Sequence, residues 1–155
     1  MLTVSKRANP RQRERVGHLM IEPLISLQFL SADRVYRSGD VLNAEYQIDA
    51  VASDDILAVE LSILWYTEGK GDEDLAVHFF ERRVSADADD GDLRRLYRFK
   101  TVLPNSPLSY SGEILKIRWC GRVRIFLRRG KELFFDQPFQ LLPRQADAQK
   151  QDEQA

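Results

Sequence analysis

Serine, histidine and aspartate together can perform acyl transfer, and this chain contains all three, so hydrolytic chemistry is the first to weigh. Their placement does not supply it. There is no Gly-x-Ser-x-Gly elbow, and Ser109 falls in a proline turn rather than a strand-to-helix turn. His78 stands in the strand-like run Val77-His78-Phe79-Phe80, where a core or half-exposed ring is expected. Cys120, between Trp119 and Gly121, has arginine neighbours that could lower its pKa, but a plain surface or interface cysteine is the expectation. The run Asp87-Ala88-Asp89-Asp90-Gly91-Asp92 suggests calcium. With Gly91 at the sixth position of an EF-hand loop, however, Ala86 and Ala88 stand where carboxylates belong. A sandwich whose strands alternate in direction would still gather Asp54 and Asp55 beside Asp87, Asp89, Asp90 and Asp92, giving a ligand-binding or calcium-binding alternative. The basic turn Arg128 to Lys131 falls at the same end, so mutual neutralisation of these loops is preferred to a metal. No catalytic residue, metal ligand or cofactor is expected.

The strongest surface feature is basic. Along residues 113–128, Leu115, Ile117, Trp119, Val123, Ile125 and Leu127 alternate with Lys116, Arg118, Arg122, Arg124 and Arg128. Stacking on nucleic acid would want interleaved aromatics, and only Phe126 alternates with the arginines, so nucleic acid is disfavoured. Parity in the last hairpin sets Leu127, Ile125 and Val123 opposite Leu133, Phe135 and Gln137. That register matches Arg128 with Glu132 and Arg124 with Asp136. Lys116, Arg118 and Arg122 stay unmatched, which makes them the expected contacts for a protein or an acidic peptide.

Bulk properties narrow the field further. The chain has 155 residues and a net charge of -1 (23 Lys+Arg against 24 Asp+Glu), which opposes a generic polyanion binder. One cysteine cannot form an internal disulfide, and with two histidines it is too little for a closed zinc site. No secretory h-region and no membrane span is read from the residues, so the expected location is the cytoplasm.

What must position these side chains is a sheet structure. Residues 1–19 are polar and basic and are expected to form a flexible arm, though Asn9-Pro10 could cap a short helix. Residues 143–155 hold little to bury and are expected to be a disordered tail. Between them, residues 20–142 carry period-two patterns: Leu42, Ala44, Tyr46 and Ile48, and then Leu57, Val59, Leu61, Ile63 and Trp65. Runs at 24–30, 75–84 and 93–102 are weaker strands. Turn signals separate them, which predicts an all-β, antiparallel immunoglobulin-like sandwich of about seven to eight strands. Residues 115 to 127 would span about 43 Å at ~3.3 Å each, so a bulge or bend is expected at Gly121.

Two turn motifs in this frame resemble a known family. Tyr36-Arg37-Ser38-Gly39-Asp40-Val41-Leu42 is similar to the Tyr-x-Pro-Gly-Asp-x-Val lead-in to an early strand of arrestin-like domains. Leu103-Pro104-Asn105-Ser106-Pro107-Leu108-Ser109-Tyr110-Ser111-Gly112, with the long strand from Ile114 to Leu127, resembles that family's Pro-rich turn and following strand. The likeness spans about residues 24–142. Ser38 stands where Pro is usual and Ala44 where Gly is common. Arrestins contain two such sandwiches and this chain has length for one, so no phosphate-sensing core between lobes carries over. The resemblance implies a non-enzymatic interaction or scaffold module.

Overall fold

The computed structural model describes residues 22–144. The arm expected at 1–19 lies outside the described residues, as does the tail expected at 143–155 except for Pro143 and Arg144. Nine strands form: β1 (Leu24–Phe29), β2 (Val35–Arg37), β3 (Val41–Asp49), β4 (Ile56–Gly69), β5 (Leu75–Arg83), β6 (Tyr97–Val102), β7 (Tyr110–Ser111), β8 (Leu115–Leu127) and β9 (Glu132–Leu142). A three-stranded sheet in the order β1-β3-β6 faces a six-stranded sheet in the order β2-β9-β8-β4-β5, with β7 pairing beside the start of β8. The architecture is the expected all-β sandwich. Its two additional strands, β2 and β7, are too short to show as alternation, and β2 runs parallel to β9.

Period-two patterning places the core. Leu42, Ala44, Tyr46 and Ile48 of β3 face Val59, Leu61 and Ile63 of β4 and Trp119, Val123, Ile125 and Leu127 of β8, and all are buried. Full burial of each such aliphatic side chain contributes roughly 1.5–3 kcal/mol. Ala44 pairs with Phe29 on one side and Phe99 on the other, so a small side chain sits between two rings. Leu57, expected inside, is instead exposed. A bulge between Ile56 and Ala58 on β4 puts Ile56 and Val59 in the core and turns Leu57 out.

Gly121 makes no bulge either. β8 keeps continuous register with both β4 and β9 across it. The glycine faces the core, where an added Cβ would lie 3.0 Å from Phe29 Cζ and 3.1 Å from Leu27 Cδ2. Its missing side chain makes room for β1 of the opposite sheet, so the strand runs its full length unbroken.

The Tyr36–Asp40 turn is tied to the end of β9. The Ser38 N–H donates to Leu142 O at 3.0 Å, a bond that a proline at this position could not make. Gly39 has a φ of 81°. Arg37 donates to Pro143 O at 2.8 Å, and the Arg144 guanidinium bonds Ser38 O and lies 3.5 Å from Asp40. Pro143 and Arg144 therefore hold to the sandwich. The Tyr36 ring meets Phe29 and Phe139 edge-on.

The flank between β5 and β6 is closed by side chains. Phe79 stacks on Phe99 with centroids 5.7 Å apart, and Tyr97 Oη donates to Glu81 at 2.7 Å. Buried Arg83 lies 3.6 Å from the Tyr97 ring centroid and donates to Tyr46 Oη at 2.6 Å. His78 is the extra residue where β5 slips against β4, and its Nε2–H donates to Val102 O at 2.7 Å. This bulge, with Glu81, Arg82 and Arg83 after it, blunts β5 as an edge for another strand.

Candidate functional site

Hydrolytic residues do not assemble. Ser109 Oγ accepts the Leu141 N–H at 2.8 Å, while His78 bonds Val102 and lies 3.3 Å from Thr101 Oγ1, so the two serve different seams of the sandwich. Three of the acidic loop side chains are occupied as well. Asp92 grips Arg94 through Nε at 2.9 Å and Nη2 at 2.8 Å, and the hydrogen bonds from Arg94 hold its carboxyl down at about 2. Asp90 pairs with Arg95 at 2.5 Å, and Asp87 accepts the Val84 N–H at 2.8 Å. Neutralisation comes from Arg94 and Arg95 rather than from the 128–131 turn, whose Arg128 reaches only the Asp54 carbonyl, at 2.6 Å. Among the described residues no three metal-capable side chains converge.

The remaining candidate is the outer face of the larger sheet, built as rows across its strands. Directly paired residues share a face. One row reads Arg82, Glu60, Arg124, Phe134, and the next Phe80, Ser62, Arg122, Asp136. The third is Val77, Leu64, Cys120, Pro138, apolar throughout, and the fourth begins Leu75, Tyr66, Arg118. Leu64 and Cys120 are each only 2% exposed although they point away from the core. Beside them on β5, Leu75, Val77 and Phe80 are 50–55% exposed. The surface thus has an apolar centre opening toward β5 and charged rows on both sides, the anatomy of a protein interface.

Lys116, Arg118 and Arg122 do share this face, as their spacing predicts, but in different settings. The hairpin register differs by two residues from the expected one. A three-residue loop with Arg129 and Gly130 in the left-handed region closes at Leu127 and Lys131, so Arg122 stands opposite Asp136 and Phe126 opposite Glu132. Arg122, expected to be unmatched, grips Asp136 through Nε at 2.7 Å and Nη2 at 3.0 Å. Arg124, expected opposite Asp136, instead pairs with Glu132. Arg118 lies 3.4 Å from Glu68. Lys116 has no ion pair among the described residues. The guanidinium carbons of Arg82 and Arg124 lie 5.2 and 5.1 Å from the Phe126 centroid, and that of Arg122 lies 5.2 Å from Phe134. Phe126 is the ring already visible on β8, while Phe134 is supplied by β9, a signal visible only once β9 is in register.

Burial pushes the Cys120 thiol up to about 12, with Asp136 adding to the rise and Arg122 opposing it weakly. The thiolate is the reactive form, so native Cys120 should resist iodoacetamide at pH 8 while urea-unfolded chain is alkylated readily. Mass spectrometry of both samples checks this. Native labelling as fast as unfolded labelling would mean that the apolar row is open.

Comparison with solved structures supplies the deciding observation. The chain is similar to the crystal structure of Spo0M, a sporulation control protein from Bacillus subtilis, with a TM-score of 0.52 and 10% identity over 77% of this chain. The fold is arrestin-like. The match covers 49% of that protein, so this arrestin-like chain spans about half its length. No family model matches the sequence, and no curated protein matches it. Among the described residues of the arrestin-like sandwich, no helix is long and apolar enough to cross a membrane.

Proposed function

We propose that this chain is a non-enzymatic interaction module of the cytoplasm that docks another protein through the outer face of its six-stranded sheet. The observation that carries the reading is the exposed row Leu75, Val77 and Phe80, continuous with outward-facing Leu64 and Cys120. Core packing does not use these three side chains, and contiguous exposed apolar surface rimmed by charge is characteristic of contact sites. Lys116 and Arg118 border the patch and are rim contacts. Arg122, gripped by Asp136, serves to hold the surface in shape.

Leu75→Ser/Val77→Ser/Phe80→Ser removes the patch without touching the core. In affinity capture from the source cell, a partner retained by the wild-type chain should be lost by this variant, with the thermal midpoint unchanged. Lys116→Ala/Arg118→Ala should weaken the same partner more at low salt than at high salt. Equal capture by the triple-serine variant would defeat the proposal.

A further inference from the structure

On this docking reading, we infer that the occupant is an acidic polypeptide segment that seats apolar side chains on Leu75, Val77 and Phe80 and sets carboxylates against Arg82 and Arg124. The choice of occupant rests on which member of two ion pairs, Arg82–Glu60 and Arg124–Glu132, meets solvent. Arg82 is 52% exposed and its partner Glu60 14%; Arg124 is 47% exposed and Glu132 37%. The carboxylates sit lower, and the guanidiniums are brought near Phe126. A guanidinium has five donors, and one carboxylate uses at most two, so each keeps N–H groups to offer. At the opposite end of the face, Lys116 adds a cation without an ion pair among the described residues, and Arg118, beside Tyr66 and Leu75, shares its charge with an equally exposed Glu68. The surface is therefore apolar in the middle and donor-rich at both ends. Nucleic acid fits it less well, because a backbone charged at every nucleotide would have to run past Glu60, Glu68, Glu132 and Asp136, whereas a peptide can hold its few carboxylates at the arginines and place apolar side chains between them.

A displayed random-peptide library selected against the full chain tests this. Selection on the wild type should enrich peptides with Asp or Glu flanking apolar residues, and Leu75→Ser/Val77→Ser/Phe80→Ser should abolish their binding. Arg82→Glu/Arg124→Glu should weaken the same peptides by about tenfold at low salt and shift fresh selections toward Lys and Arg. Apolar peptides that need the triple-serine positions but show no acidic bias would overturn this inference and leave the docking site standing. Peptides indifferent to the triple-serine change would overturn both. A dimer that this variant disperses, or oligonucleotide binding lost in Arg82→Glu/Arg124→Glu, would give the face to a second copy or to nucleic acid, and the acidic segment would fall.

Discussion

Trp119→Ala should lower the unfolding free energy by about 3–5 kcal/mol, the range for truncating a buried aromatic. Trp119 is 1% exposed, and its ring lies 5.8 Å from Phe139 and 6.2 Å from His78. Its Nε1–H donates to Pro107 O at 2.8 Å, so truncation also removes the link between β8 and the proline loop. Set against a total stability of roughly 5–15 kcal/mol, this loss is large. A urea titration that shows a lower midpoint with an unchanged slope would record it. Trp119→Phe keeps most of the packing and loses only the hydrogen bond, so it should fall between the two. A midpoint within error of wild type for the alanine variant would mean that the two sheets do not close over this residue.

Arg83→Ala should cost about 2–4 kcal/mol. A hydrogen bond from a charged donor contributes roughly 1.5–3 kcal/mol, and a desolvated cation over an aromatic ring about 2 kcal/mol, without strict additivity. Arg83 does both, through Tyr46 Oη and the Tyr97 ring, at a flank where, among the described residues, no backbone hydrogen bond joins the sheets. Tyr46 Oη still donates to Leu93 O at 3.1 Å when the arginine is gone, so the loss belongs to the clasp rather than to an orphaned hydroxyl. Arg83→Met keeps the aliphatic stem and should recover part of the loss. The cycle formed with Tyr46→Phe isolates the hydrogen bond; an interaction energy near zero would assign the whole effect to packing.

Side-chain alternation made the sandwich legible. Leu42, Ala44, Tyr46 and Ile48, and Trp119, Val123, Ile125 and Leu127, could be assigned to the core because a buried face repeats every second residue. The same rule failed where backbone geometry adds a residue. The bulge after Ile56 reversed Leu57, and the slip at His78 has no compositional mark. Gly121 misled because a glycine within a strand signals equally a bend or a close neighbour, and that neighbour, Phe29, lies about ninety positions away in sequence. The basic face was readable on β8 alone. Its carboxylate partners, the Phe134 ring and all of the apolar row but Cys120 come from β4, β5 and β9, and a two-residue error in one hairpin was enough to pair the wrong charges.

The parallel contact between β2 and β9 has a consequence for biogenesis. Val35, Tyr36 and Arg37 find their ladder in Gln140, Leu141 and Leu142, on the last of the described strands to leave the ribosome. Until then Tyr36 has no Phe139 to rest against and β8 has one long neighbour instead of two. Closure of the larger sheet is therefore a late, long-range event, and β2 and the β8-facing margin of β4 stay unpaired while most of the sandwich is synthesised.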